Sequence, residues 1–359
     1  MAQALSLGAR GLGRVWPRPS VGCVLVRGTR IVGRGVTDAA TGDHGEVVAL
    51  RQAGALARGA TAYVTLEPCS HHGRTPPCSD ALVTAGVARV VAALEDPNPA
   101  VSGAGLSRLR AAGVEVSLGV GAGAARRQLN GFLHLMKFGR PAVTLKLATS
   151  FDGRIATASG ESRWITGPAA RRVVHGLRMR HDAVLVGAGT ARADNPTLTV
   201  RDMGTTHQPV RVVASRRLNL PWPNRLADTI QDGPVWILHG QDDAKPSALE
   251  NWQRIGAKTL PVAVEGQQLD MGAALRALGN EGITRVFCEG GGAMAASLLA
   301  AGLVDDLIVF TAGFAFGAEG QPAIGAMGLS ALSDAERFDL VETRGVGADV
   351  MQYWEKRAD

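Results

Sequence analysis

The chain has 359 residues, which is more than one ordinary hydrophobic core accommodates, so its length predicts two domains. Hydrophobic residues make up 46% and charged residues 19% of the chain, as in a typical globular protein. No stretch approaches the roughly 18 uninterrupted apolar residues of a membrane span, and the N-terminus lacks the pattern of a secretion signal. We therefore expect a cytoplasmic protein without a membrane partner.

The formal net charge of +6 is spread along the chain, and aromatic residues make up only 4% of it. Proteins that bind nucleic acid normally show a clustered basic stripe, often with stacking aromatic side chains. A modest positive surplus suits an anionic small molecule such as a phosphate equally well. The charge pattern therefore favours a small-molecule partner over nucleic acid.

Strand-like and helix-like segments alternate along the chain, which predicts α/β sheets covered by helices. Gly139-Arg140-Pro141 is the best boundary, because glycine ends helices and proline does not continue them, so we predict domains 1–139 and 141–359. In the first domain we expect strands at 21–26, 31–36, 61–66, 89–93 and 114–118, and helices at 44–57, 78–85, 106–111 and 124–138. In the second we expect strands at 142–147, 183–186, 210–213, 235–238, 285–288, 307–310, 338–342 and 350–354, helices at 168–179, 272–278 and 293–301, and a surface loop at 216–231.

A set of metal-binding residue types stands in the first half. His44 is followed by Glu46, and Pro68-Cys69 is followed after eight residues by Cys78. Three protein ligands leave one position of a tetrahedral zinc open, which is typical of a catalytic site. A histidine with a glutamate two residues later, combined with a Pro-Cys and a second cysteine, is the pattern of zinc deaminases, in which the glutamate moves protons.

We therefore predict that His44, Cys69 and Cys78 bind zinc and that Glu46 is the catalytic acid and base. A histidine near a helix start is by itself more often a capping or surface residue, and two cysteines can share a loop by accident. The two motifs together, with a strand between them, favour a catalytic zinc over a structural or lost one.

Several long blocks then resemble one family. They are TAYVTLEPCSHHGRTPPCSDAL and GVARVVAALEDPNPAVSGAGL in the first half, and LKLATSFDGRIATASGESRWITG, LRMRHDAVLVGAGTARADNPTLTVR and EGGGAMAASLLAAGLVDDLIVF in the second. The chain resembles, over nearly its whole length, the bifunctional deaminase–reductases of riboflavin biosynthesis. The long loop between the cysteines distinguishes this family from cytidine, guanine and tRNA deaminases.

The resemblance implies a cytidine-deaminase-like α/β/α first domain that replaces the 2-amino group of 2,5-diamino-6-(5-phosphoribosylamino)pyrimidin-4-one and releases ammonia. It implies a second domain similar to dihydrofolate reductase, which uses NADPH to reduce the ribosyl side chain to ribityl phosphate. The partner is thus a phosphorylated pyrimidine. Because family members associate through the reductase half, a homo-oligomer is expected.

The resemblance also implies which residues act. The substrate contacts would be His71, Arg74 and Asn98 in the first domain and Lys146, Asp152, Ser162, Arg178, Leu198, Arg201 and Glu289 in the second. The NADPH contacts would be Ala148, Trp164, Thr190, Asp194, Gly291, Gly292, Ala293, Met294, Ala295, Ala296 and Ser297. Ordinary alternatives are a solvated loop for His71 and Arg74, a plain turn for Asn98 and for the glycines, and surface charges for the arginines.

Four positions depart from the family pattern. Arg18 stands where an asparagine usually contacts substrate, Ser215 where aspartate is typical, and Gly313 begins a pair that is commonly Pro-Lys. Gly45 replaces an alanine and is expected to loosen the helix start by about 0.5–1 kcal/mol. These departures leave open a paralogue that acts on a related aminopyrimidine or pteridine, and we keep a zinc-stabilised scaffold and a nucleic-acid editor as further alternatives.

Overall fold

The computed structural model describes residues 1–71, 76–98 and 102–357. The chain divides into two compact units, Met1–Gly139 and Arg140–Asp359. Within the described ranges no helix combines the length and apolar character that a membrane crossing needs.

The first unit is a mixed sheet with helices packed against it. Its strands in the described residues are β1 (Gly22–Arg27), β2 (Arg30–Val36), β3 (Thr61–Val64), β4 (Arg89–Ala92) and β5 (Glu115–Leu118). Their spatial order is β2-β1-β3-β4-β5, in which β3, β4 and β5 are parallel and β1 is antiparallel to both neighbours. The helices are α1 (Ala2–Gly8), α2 (Gly45–Ala53), α3 (Cys78–Thr84), α4 (Ala104–Ala111) and α5 (Ala122–Phe138).

Aliphatic residues from the sheet and the helices build the core of this unit. Leu25 of β1 and Val64 of β3 are buried in one cluster with Ala49 of α2, Leu82 of α3 and Leu109 of α4. Because β3 and β4 are parallel, the chain leaves both of them at the same edge of the sheet. The loops that follow these two strands are therefore brought together there.

The second unit contains a larger sheet. Its strands in the described residues are β6 (Ala142–Ser150), β7 (Arg154–Ala156), β8 (Ala183–Gly187), β9 (Val210–Ala214), β10 (Val235–Gly240), β11 (Lys258–Val262), β12 (Val264–Glu265), β13 (Gln268–Leu269), β14 (Arg285–Cys288), β15 (Asp306–Ala312), β16 (Gln321–Pro322), β17 (Phe338–Val346) and β18 (Asp349–Lys356). The helices are α6 (Pro168–Met179), α7 (Ala188–Asp194), α8 (Arg225–Asp228), α9 (Pro246–Arg254), α10 (Met271–Asn280) and α11 (Gly292–Ala300).

The main sheet of this unit has the order β11-β10-β9-β8-β14-β6-β15-β18-β17. The strands from β11 to β15 run parallel, whereas β18 and β17 continue the sheet as antiparallel strands. Val184, Val213 and Ile237 of neighbouring parallel strands share one buried cluster with Trp252 of α9. Strands buried on both faces explain the continuous apolar runs in the sequence.

Both units are α/β, as the alternating pattern predicts. The expected surface loop at 216–231 is partly wrong, because it contains α8 and a short 3-10 turn at Ile230–Asp232. The Asn224 side chain accepts the backbone N–H of Ala227 at 3.1 Å and so caps α8, while Leu226 is buried. The Asn224 cap and the packing of Leu218 and Leu226 in the buried core therefore order this segment.

A buried histidine links α6 to the central strand β6. His181 Nδ1 lies 2.7 Å from the carbonyl oxygen of Leu177, and Nε2 lies 3.0 Å from the hydroxyl of Thr144. Because a carbonyl only accepts, Nδ1 carries the proton and Nε2 accepts from Thr144. Burial, reinforced by the charge of Arg285, lowers the pKa of His181 to about 3.

We predict that the second unit loses stability as the pH falls below about 6.5, the pKa of an unfolded histidine. Between that pH and the folded pKa, only the unfolded chain binds the proton on His181. The free energy of unfolding should therefore fall by up to about 1.4 kcal/mol per pH unit from this group. The free energy of unfolding, measured with urea at several pH values from 5 to 7.5, should change less with pH for His181→Asn than for the wild type. An equal pH dependence in the two proteins would contradict the prediction.

Candidate active sites

Three metal-binding side chains converge in the first unit. His44 precedes α2, Cys69 lies in the loop after β3, and Cys78 is the first residue of α3. His44 Nδ1 lies 3.2 Å from the sulfur of Cys78 and 3.5 Å from that of Cys69, and all three ligand atoms lie within 4.8 Å of one another. Nitrogen and sulfur ligands of one tetrahedral zinc, at about 2.0 and 2.3 Å from the metal, are separated by about 3.5 Å. The geometry therefore fits one zinc ion.

The surroundings of Cys69 favour its thiolate, which is the form that binds metal. The hydrogen bond with the Cys78 side chain, and those with His44 and with the backbone N–H of Cys78 at 3.3 Å, lower the pKa of Cys69. No fourth histidine, cysteine or carboxylate belongs to this cluster among the described residues. The ligand set is thus the open one expected of a catalytic zinc.

Glu46 lies in the first turn of α2, next to these ligands. Its side chain is buried, and its Oε2 atom has no hydrogen-bond partner in the described part of the chain. Burial raises the pKa of Glu46 to about 7. Because an unpaired buried polar atom is costly, this oxygen is well suited to accept a proton or a hydrogen bond from a water or substrate.

Gly45, between His44 and Glu46, allows a close approach of backbones. A Cβ atom at Gly45 would lie 2.5 Å from the carbonyl oxygen of Val21, and one at Gly35 would lie 1.9 Å from the carbonyl oxygen of Gly45. The expectation that glycine merely loosens the helix start is therefore incomplete. Here it lets the first turn of α2 contact the backbone beside β1 and β2 directly.

Glu67 was not singled out from the sequence, yet it anchors the loop that carries the first cysteine. Its buried carboxylate accepts four backbone N–H groups, those of Asp96 (3.1 Å), Gly103 (3.0 Å), Gly105 (2.9 Å) and Leu106 (3.2 Å). These groups belong to the segment after β4 and to the start of α4. The only sequence signal was an acidic residue between a strand and Pro-Cys.

The proposed substrate contacts of this unit are partly described. His71 is exposed, and its charge acts on buried Asp96. The backbone N–H of Asn98 donates to the Asp96 carboxylate at 2.9 Å. His71 and Asn98 therefore both lie near the turn that contains Asp96. Arg74 lies outside the described residues. The guanidinium of Arg18 lies over Gly42, where a Cβ atom would approach its Nη1 atom to 2.1 Å.

The second unit contains a buried cluster of charges. Arg178 of α6 forms a forked ion pair with Glu289 after β14, with distances of 2.5 Å (Nε to Oε1) and 3.1 Å (Nη2 to Oε2). Lys146 Nζ of β6 lies 3.9 Å from Oε2 of the same carboxylate. Burial alone would raise the pKa of Glu289, but the charges of Arg178 and Lys146 outweigh it and lower the pKa. Burial lowers the pKa of Lys146.

The segment after α7 carries two further predicted substrate contacts. Leu198 is buried and has a φ of 57°, a left-handed conformation that is unusual for leucine. Arg201 Nη1 donates to the hydroxyl of Thr197 at 3.0 Å, and its backbone N–H donates to His175 Nδ1 at 3.3 Å. This segment also contacts Arg178, whose Nη1 donates to a carbonyl oxygen in it at 2.8 Å. The fold therefore brings Arg178, Leu198 and Arg201 together and adds His175, which sequence reasoning missed.

Asp152 lies in the turn between β6 and β7. Its carboxylate accepts the backbone N–H groups of Phe316 at 3.2 Å and Gly317 at 2.8 Å, and the hydroxyl of Ser150. The side chain therefore holds a loop. Ser162 is half-buried in the stretch between β7 and α6.

Two of the residues predicted to bind the cofactor, Thr190 and Gly291, meet beyond the ends of β8 and β14. The backbone N–H of Gly291 donates to the hydroxyl of Thr190 in α7 at 3.0 Å, and Gly291 directly precedes α11. Asp194 ends α7, and burial raises its pKa. Ala148 lies on β6, and exposed Trp164 has the Arg171 guanidinium 4.5 Å from its ring centre.

The residues of α11 have different exposures. Ala295 is fully buried, and Met294 packs against Gly187 and Gly290. The hydroxyl of Ser297 donates to Gln268 at 2.8 Å. A cavity of 480 Å³ runs beside the helix and is lined by Gly292, Ala293, Ala296, Ser297, Ala300, Ile155, Gln268, Gln321, Pro322, Gly325, Ala326 and Met327.

Two family models match this chain, one in each of its two units. Residues 1–94 match the model of the cytidine and deoxycytidylate deaminase zinc-binding region, and residues 141–352 match that of the RibD C-terminal domain. The riboflavin biosynthesis protein RibD of Escherichia coli (strain K12) is 44% identical over 98% of this chain and 96% of its own. The corresponding protein of Bacillus amyloliquefaciens is 39% identical over 98% and 94%. The chain belongs to the RibD family.

Solved structures of the RibD family agree along the whole chain. Acinetobacter baumannii RibD, form 1, has a TM-score of 0.88 at 37% identity and covers 99% of this chain and 98% of its own. The diaminohydroxyphosphoribosylaminopyrimidine deaminase/5-amino-6-(5-phosphoribosylamino)uracil reductase of Thermotoga maritima has a TM-score of 0.86 at 33% identity, with coverages of 99% and 97%. The expected pairing of a cytidine-deaminase-like and a reductase domain is confirmed. The chain is a bifunctional deaminase and reductase of riboflavin biosynthesis with a zinc site.

Two departures from the usual RibD pattern lie in the second unit. Ser215 follows β9, is buried, and its hydroxyl has no partner within the described ranges. Gly313 follows β15 and has open space where a Cβ would be. A Cβ atom at position 313 would therefore fit without a clash.

We predict that Glu67→Gln destabilises the first unit and lowers deaminase activity. One carboxylate oxygen becomes an amide that faces two N–H donors, at a cost of about 2–3 kcal/mol. Thermal unfolding and deaminase turnover measure the two effects. Glu95→Gln is the control, because Glu95 is exposed and accepts only the Ser102 hydroxyl among the described contacts. Equal melting temperatures for the two variants would count against the anchoring role.

Proposed function

We propose that residues 1–139 hydrolyse the 2-amino group of 2,5-diamino-6-(5-phosphoribosylamino)pyrimidin-4-one to give ammonia and the corresponding uracil. We further propose that residues 141–359 reduce the ribosyl side chain of that product to ribityl phosphate with NADPH. The buried, unpaired Glu46 carboxylate oxygen beside His44, Cys69 and Cys78 is the observation that supports the first step most strongly.

Glu46 is the proton carrier of the deamination. Zinc, when held by His44, Cys69 and Cys78, supplies an activated water molecule. Glu46 takes a proton from that water and gives it to the leaving amine, while the water oxygen remains on the pyrimidine ring. A pKa of about 7 suits a group that must both accept and release a proton near neutrality.

The substrate is held by residues around the zinc loop. His71 and Asn98 border the Asp96 turn, and we assign them, with Arg74, to the pyrimidine and its phosphate. Arg18 replaces the usual asparagine on the opposite loop, where its charge acts on His44. A guanidinium there retains the ability to donate hydrogen bonds to a carbonyl oxygen.

The reductase site has a cofactor side and a substrate side. NADPH supplies a hydride when bound. We assign its binding to Thr190, Gly291 and the start of α11, where backbone N–H groups suit phosphate, together with Ala148, Trp164, Asp194, Gly292, Ala293, Met294, Ala295, Ala296 and Ser297.

On the substrate side we assign Lys146, Asp152, Ser162, Arg178, Leu198, Arg201 and Glu289. The charged cluster of Arg178, Glu289 and Lys146 and the nearby Leu198–Arg201 segment support this assignment. Asp152 would act through the loop that it holds.

We also propose that copies of the chain associate through the second unit, in the cytoplasm. Leu340 and Val341 on β17 and Val350 on β18 leave apolar surface exposed on the antiparallel strands. The four cysteines are free and buried, which suits a reducing compartment.

The decisive test is mass spectrometry of products from the diaminopyrimidine phosphate, with and without NADPH. The wild type should release ammonia and yield the uracil, and NADPH should add two hydrogens to that product. Unchanged substrate would reject the proposal and favour a paralogue that acts on another aminopyrimidine or pteridine.

Glu46→Gln should reduce deamination by about 10²–10⁴-fold, because it removes the proton carrier. The variant should retain zinc, measured by metal analysis, and should still reduce the deaminated product. Deamination at the wild-type rate would exclude Glu46 as the acid and base.

A further inference from the structure

His175 lies between two arginines of the reductase unit. It stands on α6 three residues before Arg178, so the two side chains share a face of the helix. Its Nδ1 atom accepts the backbone N–H of Arg201 at 3.3 Å. An N–H group only donates, so Nδ1 carries no proton and the neutral ring carries its hydrogen on Nε2. No group within the described residues bonds to Nε2.

The two arginines are bound differently. Arg178 is committed to Glu289 through two hydrogen bonds. Arg201 is exposed, and its guanidinium bonds to the neutral hydroxyl of Thr197, with no carboxylate partner in the described part of the chain. The charge of Arg201 acts on His175 and is not neutralised by a carboxylate among the described residues.

We propose that His175 is a substrate-binding residue of the reductase site, whose Nε2–H donates to the phosphate of the substrate alongside the Arg201 guanidinium. The inference rests on the proposed function and assigns its phosphate to this pair, while Arg178 remains the partner of Glu289. An imidazole N–H next to an unneutralised guanidinium matches a phosphate, which offers several charged acceptor oxygens.

The charges around His175 are consistent with this role. Burial first, and then the charges of Arg178 and Arg201, lower the pKa of His175, whereas Glu289 and Asp202 act in the opposite direction. The ring is therefore neutral near pH 7 in the free protein. Because Nδ1 accepts the backbone N–H of Arg201, a second ring proton would face that N–H group, so the ring stays neutral when the phosphate binds.

Two substitutions of His175 test the roles of the two ring nitrogens separately. Asparagine places its side-chain oxygen near the position of Nδ1 and keeps an acceptor for Arg201, but it has no donor near Nε2. Glutamine places its amide near Nε2 but has no acceptor near Nδ1. Arg172→Gln removes an exposed positive charge from the same helix and is the control for a general charge effect.

With the phosphorylated uracil substrate, His175→Asn should raise the KM about tenfold and change kcat less than twofold, as expected when one hydrogen bond to a charged group is lost. His175→Gln should raise the KM less, and Arg172→Gln should leave it unchanged. With the dephosphorylated substrate, all four proteins should have the same kcat/KM. An unchanged KM in His175→Asn, or an equal loss with both substrates, would overturn the proposal.

Calorimetry with ribose 5-phosphate tests the same contact without turnover. The wild type should bind it at pH 7, and His175→Asn should bind it about tenfold more weakly at the same pH, because the variant lacks one hydrogen bond to a charged group. If the wild type fails to reduce the uracil but shows this His175-dependent binding, the proposed function fails and the phosphate site stands. Equal affinities of the wild type and His175→Asn for ribose 5-phosphate would rule out a phosphate site at His175, even if the wild type reduces the uracil.

Discussion

A buried carboxylate that accepts backbone N–H groups is the interaction on which the zinc site depends. Glu67 lies two residues before Cys69, and it binds the segment after β4 and the first turn of α4 at the same time. The loop that carries a metal ligand is thereby fixed to elements that contribute no ligand. The zinc site needs such support, because three ligands from separate elements must stay within a few ångströms of one point.

The reductase unit also contains a buried carboxylate that accepts backbone N–H groups. Asp182 accepts the backbone N–H groups of Thr284 and Arg285 and the Thr284 hydroxyl, at 2.8, 2.9 and 2.6 Å. It thereby aligns the beginnings of β8 and β14, which are neighbours in the sheet. The far ends of the same two strands lead to Thr190 and Gly291, so the register of the strands positions the segment that we propose to bind the cofactor.

The zinc ligands could be predicted from sequence because each motif is short and its chemistry is narrow. The pairing of Arg178 with Glu289, or of His175 with Arg201, was not visible, because it depends on which strands are neighbours in the sheet. The resemblance supplied Arg178 and Glu289 individually without the ion pair between them. Helix α9 was not predicted because, apart from buried Trp252, its residues are mostly polar. Helix α8 was not predicted because it is short and begins at a single capping residue, Asn224.

The contact of α2 with β2 also limits how this family member can change. A Cβ atom at Gly35 would lie 1.9 Å from the carbonyl oxygen of Gly45, so a methyl group there would require the helix and the strand to separate. Such a separation would carry His44 and Glu46 with it, because they flank Gly45 on the same turn. Position 35 is therefore constrained by the zinc site, although β2 contributes no residue to the chemistry.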